Sequence, residues 1–215
     1  MPSLNELVMQ RLYGQDIWAG FAPAAVRSEV QGWNGNHPSF ARIMPSAGAK
    51  LVIDVGVWKG QSTITMANAM REKNIDGCVI AVDTFLGSPE HWTGPAALFE
   101  RKNGQPDLYQ TFLSNVHAAG LTGYIVPMPQ TSTTAAVVLG RLGIAASVVH
   151  VDAAHEYEDV LRDATDYWKL LSPGGYLIGD DYDQTWPGVV RAAGEFSAKV
   201  VRPLAIETPK WILRK

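Results

Sequence analysis

The stretch from residue 147 to residue 183 constrains the fold more than any other part of the chain. It reads SVVHVDAAHEYEDVLRDATDYWKLLSPGGYLIGDDYD, which is a β-branched run, an apolar pattern at helical spacing, a Pro-Gly-Gly turn and a second apolar run. Two strands joined by one helix lie parallel through a right-handed crossover. Their carboxyl ends share one sheet edge, which brings together Asp152, Asp180 and Asp181.

These three carboxylates repel one another if they share one spot. They stay ionised together when a cation lies among them or when water separates them. We therefore expect a cation near Asp152, Asp180 and Asp181, with His155 at the same edge. The structural alternative is that these acids only end strands and cap the following helices.

Further apolar runs of strand length alternate with helical patterns along the chain. Together, the predicted strands lie near residues 51–54, 78–83, 124–127, 148–152 and 176–180. This alternation predicts an α/β fold with an open, doubly wound, mostly parallel sheet of the Rossmann-like type. Ligands of such sheets bind beyond the carboxyl ends of the strands, where all the acids named above lie.

The N-terminal part has a different pattern. Residues 1–48 are predicted to form a helical extension of a domain that covers residues 49–215, with helices near 4–12, 24–31 and 39–47. The extension is too short to bury a core of its own. We expect it to pack on the sheet edge, to cover the mouth of the site or to make a subunit contact, so a homo-oligomer remains one option.

A long excursion follows the second predicted strand. Residues 84–107 are rich in Gly and Pro with aromatic residues between them, and long ordered loops in compact domains are often functional. We interpret this segment as a substrate lid, in which His91 and Trp92 either contact the substrate or pack within the loop. At the other end of the chain, residues 199–206 and 211–213 are predicted to be the final strands, as an antiparallel pair.

The turn after the first predicted strand indicates the kind of ligand. Gly56 and Gly60 lack the spacing of a dinucleotide fingerprint, and no Gly-Lys-Ser/Thr sequence follows the strand. Such a turn suits a nucleoside without phosphates, whose two ribose hydroxyls Asp83 can accept. Asp54 favours a cationic ligand, so S-adenosylmethionine fits this description. The alternative is a tight strand–helix turn that binds no ligand.

Composition excludes several classes of protein. The chain has 215 residues, enough for one sizeable core, and its 18 basic and 21 acidic residues give a net charge of −3, which offers no broad basic field for nucleic acid. No apolar run is long enough for a membrane span, and the N-terminus lacks the pattern of a signal peptide. The single cysteine, Cys78, is expected to be a buried and inert thiol, which favours a cytoplasmic protein.

Several separated motifs resemble one known family. DVGVWKGQS, VDTFLGSPEHW, HVDAAHEYEDV, LSPGGYLIGDDY and WPGVVRAAGEF occur in the order found in class I S-adenosylmethionine-dependent methyltransferases, and are most similar to small O-methyltransferases akin to macrocin O-methyltransferase. The resemblance covers roughly residues 50–213. It implies a seven-stranded sheet and Mg²⁺-dependent methylation of a hydroxyl on a small molecule of the sugar or natural-product type.

The resemblance also implies roles for individual residues. Asp152, Asp180 and Asp181 match the metal carboxylates, and His155 matches a candidate general base that acts with Asp152. Ala153 follows Asp152 where the family often has Gly, and His155 alternatively caps the following helix. The residues implied to contact the cofactor are Asp54, Gly56, Trp58, Gly60, Ser62, Asp83, Thr84, Gln130, Thr131 and Asp152.

Other functions remain as alternatives. A relative that binds the cofactor without methyl transfer and a metal-independent methyltransferase both fit the motifs. A nicotinamide dehydrogenase on a similar sheet would need the missing glycine, and a nucleic-acid methyltransferase is disfavoured by the net charge. The acceptor is expected to be set by the lid and the N-terminal helices, neither of which carries a recognisable code.

Overall fold

The computed structural model describes residues 1–23, 30–46, 48–94 and 98–215. Within these ranges the strands are β1 (Leu51–Val55), β2 (Cys78–Asp83), β3 (Arg101–Lys102), β4 (Gln105–Pro106), β5 (Ile125–Pro129), β6 (Ala146–Val151), β7 (Leu171–Gly179), β8 (Ala205–Glu207) and β9 (Lys210–Arg214). The helices are α1 (Leu4–Tyr13), α2 (Pro38–Ser46), α3 (Gln61–Glu72), α4 (Pro89–Thr93), α5 (Leu108–Ala118), α6 (Ser132–Arg141), α7 (Tyr157–Leu170) and α8 (Pro187–Val200).

The main sheet confirms the predicted fold class. In the described part of the chain it has seven strands in the order β5-β2-β1-β6-β7-β9-β8. The pairs from β5 to β7 are parallel, whereas β9 runs antiparallel to both β7 and β8. The chain steps outward from β1 to β5 and then returns to the other side of β1 with β6. Ligands of open α/β sheets bind at such a reversal of strand order.

Helices cover both faces of the sheet, and each face has its own core. Tyr167, Phe196 and Trp211 belong to the cluster under α1, α6, α7 and α8. Phe40, Met66 and Phe112 belong to the cluster under α2, α3 and α5. Because both faces are buried, the parallel strands are continuous apolar runs rather than alternating ones. None of the helices in the described ranges combines the length and the apolar composition needed to cross a membrane.

The first helix of the N-terminal extension packs on the sheet. A capping box between Ser3 and Glu6 begins α1, and Gly14 ends it at φ 68°. Tyr13 at the end of α1 and Trp18 beyond it donate hydrogen bonds to the carbonyls of Pro127 and Ile125, at 2.6 and 3.0 Å. These carbonyls lie on the open edge of β5, so the extension satisfies backbone groups that an edge strand would otherwise expose.

Three segments differ from, or add to, the prediction. Most of the helix predicted at 24–31 lies outside the described residues. The strand predicted at 199–206 is wrong over its first half, because α8 continues to Val200 and ends where Val201 takes φ 53°; only Ala205–Glu207 is a strand. The lid segment is not a bare loop, since it contains the short helix α4 and the β3–β4 hairpin.

Candidate active site

A cavity of about 530 Å³ opens at the carboxyl edge of the sheet, beside the point where the strand order reverses. Most of the residues singled out from the sequence line it, from the glycine turn after β1 to the acids after β7. They are Gly56, Trp58, Ser62, Asp83, Thr84, Gln130, Thr131, Asp152, His155, Asp180 and Asp181. Asp54 and Gly60 do not line this cavity, so the structure separates these two from the residues that face it.

The two glycines of the turn serve different purposes. Gly56 has φ 81°, and a Cβ atom there would lie 1.9 Å from the carbonyl oxygen of Asp152. Only a bare backbone therefore lets the β1 turn approach β6 this closely. Gly60 precedes α3 at φ 99°, and its added Cβ would meet the Phe112 ring at 3.0 Å. Gly60 thus shapes the turn from below rather than touching a ligand.

Asp83 holds the turn in place. Its Oδ2 accepts hydrogen bonds from the backbone N–H groups of Val57 and Trp58, both at 2.9 Å, and its Oδ1 accepts one from Phe85 at 2.7 Å. Burial raises the pKa of Asp83, although these three bonds lower it. A carboxylate has about four lone-pair positions, so about one remains for a ligand. By this count Asp83 can accept one ribose hydroxyl rather than the two that were predicted from the sequence.

Asp54 lies beneath the turn and is completely buried. The hydroxyls of Ser62 and Thr63 donate to its Oδ2 at 2.8 and 2.6 Å, and its Oδ1 lies 2.7 Å from Nδ1 of His150. Both oxygens are therefore used within the protein. A direct contact between Asp54 and a cofactor, as the sequence suggested, does not fit this geometry; Asp54 instead fixes the start of α3.

A chain of buried polar groups continues from Asp54 across the sheet. Lys210 is completely buried, its Nζ lies 3.1 Å from Nε2 of His150, and it forms an ion pair with Asp180. Because an ammonium group can only donate, His150 accepts at Nε2 and carries its proton on Nδ1, which faces Asp54. His150 is completely buried and is hydrogen-bonded on both sides of its ring.

The acids after β6 and β7 do meet, as the sequence predicted. Potential ligand atoms lie within 4.8 Å of one another in two overlapping groups, namely Asp152 with His155 and Asp181, and Asp152 with His150 and Asp180. Burial and then the charge of Asp180 raise the pKa of Asp152 well above its usual value, and Lys210 offsets only part of this. If all three carboxylates are ionised, they carry more negative charge than Lys210 balances.

His155 stands at the open side of this cluster. Its Nε2 lies 2.9 Å from Asp181, its Nδ1 lies 3.5 Å from Glu90 of the lid segment, and its ring stacks on Trp186 at 4.0 Å. Burial lowers the pKa of His155, but the hydrogen bond and charge of Asp181, with Glu90 and Asp180, raise it by more. His155 does not cap α7, because Glu156 occupies the position before that helix.

One end of the cavity, which we call the lid end, is defined by Trp33, Trp58, Glu90, His91 and His155. Stacked aromatic rings close this end. The ring of His91 lies 4.1 Å from Trp58 and 5.8 Å from Trp33, with interplanar angles of 26° and 20°. His91 therefore packs against neighbouring rings and lines the cavity, while its contact with a substrate stays a prediction. Since Trp33 belongs to the N-terminal extension, that extension also covers the mouth.

Polar groups from α6 and α7 form the opposite end, the β5 end, defined by Asp83, Gln130, Thr131, Ser132 and Asp163. Thr131 caps α6 by accepting a hydrogen bond from the backbone N–H of Thr134 at 3.1 Å. Asp163 lies on α7, is only 4% exposed and accepts a hydrogen bond from the side chain of Ser132. Burial raises the pKa of Asp163 to about 6.

Several residues of the site were not predicted from the sequence. Lys210 is a single lysine before the apolar run WIL, and that position at a strand start was the available signal. Asp163 lies on the buried face of α7, where an acid is unusual and so informative. Trp33 and Glu90 gave no signal, because only the tertiary fold brings their segments to the cavity.

Comparisons with known proteins agree with this architecture. A family model described as a methyltransferase domain matches residues 53–182. The structure of the O-methyltransferase NovP is similar in fold, with 21% identity, a TM-score of 0.61 and coverage of 82% of this chain and 76% of that chain. TomG from Streptomyces achromogenes, an O-methyltransferase involved in tomaymycin synthesis and solved with S-adenosylmethionine, gives 17% identity, a TM-score of 0.58, and coverage of 87% and 81%.

One curated protein also matches over a short stretch. The uncharacterized protein R132 of Acanthamoeba polyphaga mimivirus is 32% identical over 65 residues, which are 29% of this chain and 29% of that protein. The aligned stretch therefore spans less than a third of either protein. Its name states no activity, so the match shows a similarity of sequence and gives no information about the reaction.

Proposed function

The chain belongs to the family of methyltransferase domains whose model matches residues 53–182, and from that premise we propose that it is an S-adenosylmethionine-dependent O-methyltransferase. Its acceptor is a hydroxyl group on a small molecule of the sugar or natural-product type, and Mg²⁺ takes part in the reaction. The descriptions of NovP and TomG as O-methyltransferases support an oxygen acceptor, and the role of TomG in tomaymycin synthesis supports a natural-product type.

One observation carries the proposal. Ligand atoms of Asp152, His155 and Asp181 lie within 4.8 Å of one another, and they line the same cavity as the Gly56 turn. Methyl transfer is a displacement at the carbon of a sulfonium ion, so the protein must orient the acceptor oxygen and remove its proton. A site with a nucleoside turn at one side and carboxylates and a histidine at the other suits this task.

The residues present fit S-adenosylmethionine. Gly56 lines the cavity at the turn, and Asp83 has about one lone pair left for a ribose hydroxyl. Thr84, Gln130 and Thr131 line the cavity beyond Asp83, where the rest of a nucleoside would lie. The excess of carboxylates in the cavity favours a ligand that carries a positive sulfonium centre.

The donor set also fits a hard divalent cation. Mg²⁺ prefers carboxylate oxygens, and the raised pKa of Asp152 reflects burial and carboxylate charge that a cation would neutralise. Asp152 and Asp181 would hold it, with Asp180 already committed to Lys210. When bound, the ion would lower the pKa of the acceptor hydroxyl and stabilise the resulting oxyanion.

The protein side chains around His155 define its part in the reaction. Trp186 stacks on its ring and Asp181 accepts from its Nε2, which together fix the direction of the imidazole. In its neutral form His155 can take the proton of the acceptor hydroxyl. Because its pKa is raised, we expect the reaction to accelerate as the pH rises through the neutral range.

Calorimetry with S-adenosylhomocysteine, in the presence and absence of Mg²⁺, tests the proposal directly. We expect the wild type to bind the nucleoside and Asp181→Ala to lose most of its affinity for Mg²⁺ while it keeps the nucleoside. A wild type that binds no S-adenosylhomocysteine would refute the cofactor. Undiminished methyl transfer by Asp181→Ala in the presence of a chelator would refute the role of the metal.

Metal-independent methyl transfer is the second candidate, and one observation favours it. Lys210 already places a buried ammonium group beside Asp180 and so supplies part of the positive charge that the cluster needs. Under this alternative, dialysis against a chelator leaves the rate of product formation unchanged. Under the first proposal, the same treatment abolishes turnover and added Mg²⁺ restores it.

A further inference from the structure

The β5 end of the cavity contains an acid that the proposed reaction does not use. The Asp163 side chain faces the cavity from α7, although the residue is only 4% exposed. Its hydrogen bond from the Ser132 side chain fills one of about four lone-pair positions on the carboxylate. A buried carboxylate with few donors is costly, so a ligand that brings a donor to this place gains by satisfying it.

The position of Asp163 relative to the turn indicates which part of a nucleoside reaches it. The Gly56 turn follows β1, Asp83 ends β2, and Gln130 follows β5, so the three mark successive strands toward the sheet edge. If Asp83 holds the ribose, the base lies beyond it, near Gln130 and under α7. Ser132, which donates to Asp163, is the first residue of α6 at this same end.

Chemistry then distinguishes the groups that a base can present. An ionised carboxylate only accepts hydrogen bonds, and the exocyclic amine of adenine is a donor. Gln130 also offers an acceptor at this end, but it is exposed, so water competes for its amide. Asp163 is buried, and hydrogen bonds to charged groups are stronger, about 1.5–3 kcal/mol each.

Resting on the proposed function, we propose that Asp163 is a specificity-determining residue that accepts a hydrogen bond from the exocyclic amine of the cofactor's adenine. The base is then selected by a side chain of α7 as well as by the turn after β5. The same bond ties the ligand to α7, the helix that follows His155 and packs against α8. Cofactor binding and the order of that helix are therefore linked through one carboxylate.

The test pairs a change in the protein with a change in the ligand. Calorimetry compares S-adenosylhomocysteine with its 6-deamino analogue, in which hydrogen replaces the exocyclic amine, on the wild type and on Asp163→Asn and Asp163→Leu. We expect the wild type to prefer S-adenosylhomocysteine by at least about tenfold, in line with a charged hydrogen bond. The preference should shrink with Asn, which accepts without charge, and approach unity with Leu.

A purely structural role of Asp163 makes a different prediction, because loss of the Ser132 contact would weaken both ligands equally and leave their ratio unchanged. Asp166→Asn serves as the matched control, since Asp166 lies on the same helix, pairs with Lys169 at 2.7 Å and does not line the cavity. Its ratio should equal that of the wild type. Thermal melting confirms that each variant is folded.

Each outcome decides the matter. Equal affinity of the wild type for both ligands overturns the inference without any variant, as does a preference that Asp163→Asn and Asp163→Leu both retain. The failure of the proposed function looks different: the wild type then binds neither nucleoside, and the inference falls with it.

Discussion

The two ends of the cavity are assembled from different parts of the chain and by different forces. At the β5 end, Thr131 holds a backbone N–H group a few residues away, and Asp83 holds two in the turn that follows the adjacent strand. At the lid end, the ring of His91 stacks on the rings of Trp33 and Trp58, which are tilted against each other, so that three segments meet. The first end is rigid because hydrogen-bonded backbone forms it, whereas the second depends on side-chain packing of loops.

This difference suggests a division of labour. The cofactor that we propose suits the end that the sheet itself shapes, and the proposed acceptor suits the end that loops shape. Beneath both ends runs the buried chain from Asp54 through His150 and Lys210 to Asp180. Substitutions of these buried polar residues should therefore affect ligand binding at both ends of the cavity, while substitutions of residues above them should affect binding at only one end.

The largest effect is expected from Lys210→Met. It leaves Asp180 as an unpaired buried charge and removes the donor to His150, so we expect a loss of about 3–5 kcal/mol in the free energy of unfolding. Urea denaturation measures this. Lys199→Met on the exposed side of α8 is the control and should change stability by less than about 0.5 kcal/mol. Similar stability of the two variants would contradict a structural role for the buried chain.

A smaller but more selective effect is expected from Gly56→Ala. The new Cβ meets the Asp152 carbonyl and the backbone keeps a positive φ, so we expect a loss of about 3 kcal/mol in stability and of measurable S-adenosylhomocysteine binding. Gly104→Ala is a matched control, because Gly104 has φ 80° but nothing within 4 Å of its added Cβ. If both variants behave alike, strain at positive φ and not the close approach explains the result.

The β5 end should also respond to pH through Asp163. Its pKa of about 6 in the folded protein exceeds the value of about 3.9 in an unfolded chain, so the folded state binds more protons between these values. Protonation of Asp163 therefore stabilises the folded state at pH 4. This stabilisation, about 2–3 kcal/mol at most in the free energy of unfolding, is lost as the pH rises to 6. Asp163→Asn should remove this slope, as denaturation of the ligand-free protein at several pH values would reveal. If the stability of Asp163→Asn depends on pH as that of the wild type does, Asp163 is not the source of the pH dependence.

The smallest change in stability is expected at the lid end, from Trp33→Ala. Trp33 is 52% exposed, so its removal should alter the free energy of unfolding by less than about 0.5 kcal/mol. Affinity for S-adenosylhomocysteine should stay unchanged, while the KM of an acceptor rises several-fold through loss of the ring. A parallel loss of cofactor affinity in calorimetry would show that the two ends are not separate.

The readability of the site from sequence follows the same division. Strand ends and the glycine turn placed Gly56, Asp83 and Asp152 at one edge, because parallel strands leave no freedom about where their carboxyl ends lie. The same reasoning wrongly predicted a cofactor contact for Asp54. Successive side chains of a strand point to opposite faces, so one residue can face the cavity while the next lies beneath it. Burial of that side chain follows from pairing with His150, which lies on a strand far along the chain.

The lid end was beyond such reasoning for a physical reason. Whether Trp33 reaches His91 depends on how two irregular segments cross, and no periodic pattern encodes a crossing. Lys210 was missed for a related reason: a buried lysine is rare, and only its register beside β7 reveals the partner.

The buried chain has a consequence for how relatives of this protein can diverge. Asp54, His150, Lys210 and Asp180 lie on or beside four different strands, and each is bonded to its neighbours in this buried polar chain, while Asp54 also accepts from Ser62 and Thr63. A relative in which Lys210 is replaced therefore has an unpaired buried carboxylate at Asp180 and a histidine at position 150 without its hydrogen-bond donor. Among descendants of a common ancestor, we expect these positions to be kept or replaced as a set, whereas the lid drifts one residue at a time.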